Sequence, residues 1–184
     1  MTLFGVPVVS PGKWYPIYSQ ATDGESTLWG QYALRNLFYA AGFVSPPTSG
    51  SKVRVTLSTV GATGAMAIDL LYIGHAAAAG DDYDMDGNQV QITFSGGATA
   101  SLSAGTTLLS DAIPFVFDPT KRLIASIGFN AVSPYAGRKT GLGANFIPVT
   151  KALSASEAGT SDVTGYGAGT SGFIHGVSKI EIFK

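Results

Sequence analysis

The sequence predicts an all-β protein, an antiparallel β-sandwich of the jelly-roll type. Polar and apolar residues alternate with a period of two along much of the chain, and glycine-rich turns separate these stretches. Amphipathic helical periodicity is hard to find. The 24 glycines among 184 residues are about twice the usual share. Short strands joined by such turns are typical of sandwiches and barrels.

The clearest alternating segments lie in the middle and at the end of the chain. They are residues 52–58, 89–94 and 179–183, each of which predicts a half-buried strand. Residues 113–117 and 123–129 are apolar almost throughout, which predicts strands buried on both faces.

Two segments and the domain boundaries need separate interpretation. Residues 31–41 can be drawn with apolar side chains on one helical face, but their aromatic and β-branched surroundings and the proline pair that follows favour a strand. Residues 154–172 are rich in Gly, Ser, Thr and Ala, which predicts a long loop around a short strand. We expect a single domain, residues 13–184, preceded by an apolar docking arm, residues 1–12.

Charge and cysteine content exclude several classes of function. The chain has 11 basic and 12 acidic residues, so it lacks the strongly basic surface of a nucleic-acid-binding protein. It has no cysteine, which excludes disulfides, a thiol nucleophile and a thiolate zinc site. No apolar stretch reaches the ~20 residues that span a bilayer, so we expect no membrane insertion. The first ten residues lack the basic start of a signal peptide.

The sequence offers little for catalysis. Its two histidines, His75 and His175, are not spaced as zinc ligands, and a general base needs a placed partner. Residues 141–146 lack the third glycine of a dinucleotide-binding fingerprint, and residues 165–169 lack the lysine of a phosphate loop. We therefore expect no enzymatic activity and no required cofactor.

The sharpest local signal is the acidic stretch at residues 81–88. Asp82, Asp84 and Asp86 alternate and Gly87 follows, which matches the first half of a calcium-binding loop. Thr93 stands where that motif has a bidentate glutamate. Two interpretations remain open: a loop that binds Ca²⁺ through the three aspartates, or a solvated hairpin loop, in which Asp and Gly are favoured.

Polar and aromatic residues in predicted loops form a second constellation. Tyr83, Tyr135 and Tyr166 stand in such segments, where aromatic faces can stack on sugar rings. Asn88 adds an amide that can bond sugar hydroxyls. These four residues are the candidate glycan ligands. The alternative is that the tyrosines pack in the core or at protein interfaces.

An ordered series of strand and turn motifs runs through the middle of the chain. It comprises residues 52–58 (KVRVTLS), Ile73-Gly74, Phe94-Ser95-Gly96-Gly97, Leu102-Ser103-Ala104-Gly105 and Ser110-Asp111. This series resembles the β-sandwich domain that precedes the catalytic domain in many SGNH/GDSL-type esterases. The resemblance extends to both ends of the chain and implies a sandwich fold.

The catalytic motifs of those esterases are not matched. Gly24-Glu25-Ser26 is only superficially similar to the Gly-Asp-Ser nucleophile block. Gly172 stands where an aspartate would precede His175 by three positions, and Ala131 stands where the oxyanion block has its aspartate. The resemblance therefore implies no hydrolase activity, because nucleophile, base and oxyanion donors are all needed.

Stand-alone sandwiches of this kind resemble modules found on phage and gene-transfer particles. By that analogy of fold, we expect a non-catalytic virion structural protein: a capsid decoration, spike or tail-associated protein. Its expected partners are other virion proteins, further copies of itself and a host-surface glycan, and its low charge tolerates close subunit packing. The alternative is a secreted or cell-surface accessory carbohydrate-binding subunit of an SGNH-type esterase or another carbohydrate-active enzyme.

Overall fold

The computed structural model describes residues 12–27, 30–129, 135–152, 154–167 and 169–184. These residues form fifteen β-strands and two short 3-10 helices, numbered here in chain order, and no α-helix. Each strand pair is antiparallel. The predicted docking arm, residues 1–12, lies outside the described residues apart from Gly12.

Two five-stranded sheets make up most of the fold. The strands of sheet one are β1 (Trp14–Ser19), β4 (Gly50–Ser58), β9 (Thr107–Leu109), β10 (Ile113–Phe117) and β15 (Val177–Phe183). They follow the order β1-β15-β4-β10, and β9 also pairs with β4. The strands of sheet two are β3 (Tyr32–Phe38), β6 (Leu70–His75), β7 (Val90–Gln91), β11 (Leu123–Phe129) and β13 (Phe146–Ala152), in the order β13-β3-β11-β6-β7.

Smaller elements complete the described part of the chain. A three-stranded sheet has the order β14-β12-β2, and β5 pairs with β8. The bounds are β2 (Gly24–Thr27), β5 (Met66–Ile68), β8 (Ala100–Leu102), β12 (Tyr135–Lys139), β14 (Ile174–His175), and the 3-10 helices η1 (Ala40–Gly42) and η2 (Ala155–Gly159).

One hydrophobic core contains side chains from both large sheets. Alternation along each strand sends every second residue toward it. The core members from sheet one include Val53, Val55, Leu57, Ile180 and Ile182, and those from sheet two include Leu34, Phe38, Leu71, Ile73 and Ile127. The all-β prediction with antiparallel sheets is confirmed, and the arrangement is consistent with a β-sandwich.

A second apolar cluster lies on the outer face of sheet two. Two loops cover this face: residues 81–88, the acidic loop, and residues 154–167, the cover loop. The cluster joins strand and loop residues, which are Ala33, Leu37, Ala76, Met85, Ile124, Val149, Val163 and Tyr166. Because of this cover, all seven residues of β11 are buried, as predicted for a strand with two buried faces.

Some element predictions need correction. The strand prediction for residues 31–41 is right, since β3 occupies most of the segment. Burial of both faces at residues 113–117 is wrong, because β10 ends its sheet and leaves Pro114 and Val116 exposed. The strand predicted at 89–94 shortens to β7. The described residues of 154–172 hold η2 but no strand.

The helices of the described segments are the short 3-10 helices η1 and η2. None of the helices there has the length and hydrophobicity needed to cross a bilayer.

Candidate ligand-binding site

A buried arginine fixes both loops over sheet two. Arg35 lies in β3 and has no solvent exposure. Its Nη1 donates to the carbonyl oxygens of Tyr83 and Ser161, and its Nη2 donates to those of Glu157 and Thr160. One side chain thus holds the acidic loop and the cover loop in a single arrangement.

The Arg35 guanidinium contacts neutral hydrogen-bond acceptors and an aromatic ring, and the carboxylates of Asp84 and Glu157 lie near enough to stabilise its charge. The four hydrogen bonds described above all end on backbone carbonyls. Its guanidinium also lies over the Tyr166 ring, 5.3 Å from the centroid, where the negative ring face attracts a cation. Burial lowers the pKa of Arg35, but a guanidinium keeps its proton in proteins. A buried positive charge therefore lies under the two loops.

Two of the predicted ligand residues, Tyr83 and Tyr166, are brought together by these loops. Their ring centroids are 5.0 Å apart with planes tilted by 35°. The Tyr83 hydroxyl donates to Asp81 Oδ2 at 2.8 Å, and this bond is the main reason that its pKa is raised. Burial raises the pKa of Tyr166 to about 12. Both phenols therefore stay protonated near neutral pH and keep an O–H donor.

The paired rings form one wall of a small cavity, the tyrosine pocket, of about 230 Å³. Its lining comprises Leu37, Tyr39, Asp82, Tyr83, Ile147, Val149, Tyr166, Gly167 and Gly169. The aliphatic members are strand residues of sheet two, whereas the aromatic and acidic members come mostly from the loops. An apolar floor with a few polar groups at the rim is the usual composition of a small-ligand site.

A second arginine, Arg122, contacts two of the residues that line the tyrosine pocket, Tyr39 and Asp82. The guanidinium carbon of Arg122 lies 4.8 Å from the centroid of the Tyr39 ring, and its Nη1 donates to the Tyr39 hydroxyl at 3.1 Å. The same Nη1 lies 3.1 Å from Asp82 Oδ1, on a carboxylate side chain that is 78% exposed. Exposed ion pairs contribute only about 0–1 kcal/mol, so a ligand can displace this one at little cost.

The three aspartates of the predicted calcium site face different partners. Asp84 is buried, and its oxygens accept from the N–H groups of Asp81 and Val163 at 2.8 and 3.2 Å. Gly80 precedes this turn with φ of +101°, and a Cβ there would lie 2.6 Å from Asp84 Oδ2. Asp84 therefore folds the acidic loop and ties it to the cover loop.

The other two aspartates form ion pairs with basic side chains. Asp82 pairs with Arg122, and Asp86 Oδ2 lies 3.5 Å from Lys121 Nζ. Across the described ranges, no three acidic or histidine side chains lie together in a way that could hold a metal ion. Calcium binding stays a prediction, and it requires these carboxylates to leave their present partners.

Asn88 and Tyr135 lie apart from the tyrosine pocket. Asn88 lines a larger depression of about 560 Å³, the sheet-edge groove, with Gly50, Ser51, His75, Asp86, Val90, Pro114, Phe115, Val116, Asp118 and Lys121. Tyr135 belongs to β12 of the three-stranded sheet and lines neither depression. The acidic loop contributes to both depressions: Asp82 and Tyr83 line the tyrosine pocket, whereas Asp86 and Asn88 line the sheet-edge groove.

Both histidines make contacts that join strands or turns. His75 Nε2 accepts from the Asp118 N–H at 3.1 Å, and its ring stacks on Phe115. The Asn36 side chain donates to the His175 carbonyl at 2.8 Å and accepts from its N–H at 3.1 Å. Burial lowers the pKa of both imidazoles, that of His175 to about 4.

Sequence reasoning missed Arg35, Tyr39 and Arg122. Arg35 had a signal, because it is the only charged residue in the otherwise mostly apolar segment 32–38. A charged side chain on a strand buried on both faces requires several hydrogen-bond partners. A group of such partners indicates a place where other segments of the chain come together. No sequence signal pointed to Tyr39 and Arg122, because their pairing depends on contact between the end of β3 and the end of the β10–β11 turn.

The chain was also compared with known proteins. No protein-family model and no curated protein matches it.

Proposed function

We propose that this chain is a non-catalytic virion structural module, a β-sandwich of the jelly-roll type, that binds a surface glycan in the tyrosine pocket. Two five-stranded antiparallel sheets on a shared core support the sandwich. The low charge and the series of motifs similar to esterase-linked sandwiches support a particle-associated role. Its proposed partners are other virion proteins and further copies of the chain.

The observation on which the glycan proposal depends is the Tyr83–Tyr166 ring pair beside an exposed carboxylate. Sugars present flat C–H surfaces and hydroxyl edges, which match an aromatic wall and a polar rim. Asp82 accepts hydrogen bonds from hydroxyls, and Arg122 donates them. The pocket therefore offers both kinds of contact within one small volume.

The surroundings of the rings argue against a cationic ligand. An aromatic cage for a quaternary ammonium group needs ring faces open to the cation. Here the guanidinium of Arg122 lies over Tyr39, and that of Arg35 lies over Tyr166. Arginine side chains already occupy these two ring faces, so a hydroxyl-rich ligand fits better than a quaternary ammonium group.

A glycan array tests the proposal. We expect the purified protein to bind a defined subset of neutral glycans, and we expect Tyr83→Ala to lower that affinity at least tenfold by removing the half-buried ring. Tyr15→Ala is the matched control, because Tyr15 is also half-buried but lies in β1 of the other sheet. Repeating the measurement with Ca²⁺ and with EDTA shows whether the acidic loop needs metal.

The opposite results have clear meanings. No binding on the array, or equal binding by Tyr83→Ala and wild type, contradicts a glycan site in the tyrosine pocket. Binding that EDTA abolishes would support the calcium prediction for Asp82, Asp84 and Asp86. Antibody labelling of purified particles tests the virion part, and absence of label would contradict it.

A further inference from the structure

The sheet-edge groove lies where both large sheets end on the same side. Strand β10 ends sheet one and β7 ends sheet two, and the two strands approach each other there. Pro114, Phe115 and Val116 of β10 and Val90 of β7 supply its apolar wall. The groove is therefore an opening between two sheet edges, unlike the tyrosine pocket, which lies on one sheet face.

The groove exposes apolar surface beside an open strand edge. Val116 is 84% exposed, the highest value among the large hydrophobic residues described. Strand β10 pairs with β4 through an irregular register, and within the described residues no strand pairs with its other side. The charged residues of the groove, Asp86, Asp118 and Lys121, belong to loops, and β10 itself carries no charge. Natural proteins usually cover or charge such strand edges, so the uncharged edge of β10 indicates a contact surface.

The segment that precedes β1 has the chemistry to fill this groove. Residues 1–11 contain no charged side chain, and their apolar members include Leu3, Phe4, Val6, Val8 and Val9. Pro7 and Pro11 favour extended backbone at the residues before them, which lowers the entropy lost on docking. Fully extended, eleven residues span up to about 36 Å.

The exit point of this segment lies at the opposite edge of sheet one from the groove. The Lys13 N–H donates to the Lys184 carbonyl at 2.7 Å, where β1 pairs with β15. The sheet order β1-β15-β4-β10 places β10 three strands away, about 14 Å at the usual strand spacing. A donor at one edge and a receptor at the other suit a head-to-tail contact between copies.

We propose that residues 1–11 of one copy dock, in extended form, into the sheet-edge groove of a second copy. This inference rests on the self-assembly proposed above and adds the receptor surface. Pro114 has no N–H, and the register of β10 is irregular. A docked segment can therefore form only a few backbone hydrogen bonds with β10. Apolar side chains packed against Phe115 and Val116 supply most of the affinity.

Sedimentation of the full chain tests the docking. We expect concentration-dependent association of the wild type and a monomer for Val116→Asp and for Phe4→Asp, because each places a charge in the apolar contact. Leu109→Asp is the matched control, since Leu109 is 49% exposed on the same sheet but does not line the groove. Leu109→Asp should associate like the wild type.

A synthetic peptide of residues 1–11 provides the second measurement. An excess of this peptide should convert the associated wild type to monomer by occupying the groove. The same peptide with Leu3→Ser and Phe4→Ser should have no effect. Circular dichroism melting of Val116→Asp within a few degrees of wild type shows that its loss of association is not unfolding.

The outcomes separate this inference from the proposals on which it rests. A wild type that stays monomeric at high concentration overturns both self-assembly and the docking. Association that Val116→Asp leaves intact, or that the peptide does not reverse, overturns the docking alone. Glycan binding is expected to persist in Val116→Asp, because the tyrosine pocket uses other residues.

Discussion

The outer faces of the two large sheets differ in what covers them. On sheet one, charged side chains pair within the face: Glu181 lies 2.8 Å from Arg54 and 3.1 Å from Lys179. On sheet two, the acidic and cover loops bury the apolar residues Leu37 and Ile124. The outer face of sheet one carries polar residues at alternate positions, whereas the outer face of sheet two carries mostly apolar ones.

This difference shows where the candidate site arises. On the open face, neighbouring charged side chains satisfy one another: Glu181 is buried and pairs with both Arg54 and Lys179. A face under loops must satisfy every polar group that it buries, and Arg35 does this for both loops. The tyrosine pocket forms where the covered face and its loops meet.

The largest expected effect comes from removing the arginine of the covered face. Arg35→Met removes four hydrogen bonds that tie both loops to β3, and the carbonyl oxygens of Tyr83 and Thr160 lose the guanidinium as donor. We therefore expect a loss of about 3 to 5 kcal/mol in the free energy of unfolding. Lys52→Met on the open face is the control, because the Lys52 side chain is exposed, and it should cost about 0.5 kcal/mol or less. Urea denaturation measures both, and equal losses would contradict the contrast between the faces.

Acid should lower the free energy of unfolding by protonating His175, which is buried. Burial, and to a lesser extent Arg138, lowers the pKa of His175 from 6.5 to about 4. The unfolded chain therefore binds this proton more readily than the folded chain. The contribution of neutral His175 to the free energy of unfolding is complete above about pH 6.5, and about 3 kcal/mol of it is lost as the pH falls to 4.

A variant isolates that contribution. His175→Gln removes the titrating group, so its free energy of unfolding should change less between pH 6.5 and pH 4 than that of wild type. Urea denaturation across this range measures the slope. Parallel curves for the two proteins would show that His175 does not control the acid response.

The smallest effect should come from lifting the cover loop slightly. A Cβ on Gly128 of β11 would lie 2.4 Å from the Ala155 carbonyl oxygen, so Gly128→Ala forces the two apart. We expect a loss of about 2 kcal/mol and faster hydrogen exchange at residues 155–160. Gly24→Ala is the control, because its Cβ would meet no atom closer than 4.0 Å. Unchanged exchange in Gly128→Ala would mean that the loop adapts without loosening.

Prediction from sequence was most successful on the open sheet. Residues 52–58 and 179–183 alternate regularly because one side of each strand faces water, and they form β4 and β15. It was least successful at sheet edges, where β7 is short and β10 is half exposed. Edge strands lack a second neighbour, so hydrophobicity alone does not report how far they pair.

The sequence also named part of the candidate site. Tyr83 and Tyr166 were identified as loop tyrosines and line the pocket, whereas Asn88 lines the groove and Tyr135 neither. The sequence around each of these four residues does not indicate which of them line the pocket. The acidic motif indicated a metal site, but Asp84 accepts backbone N–H groups, and its neighbours pair with Arg122 and Lys121.

The sequence by itself determined the secondary structure class and the residues of the main core. Period-two alternation is a local property, because it records which side of a strand is buried. Only the tertiary structure decided that two distant loops meet over sheet two, with Arg35 between them. That meeting depends on long-range hydrogen bonds and ring contacts, and no short window of sequence contains both partners.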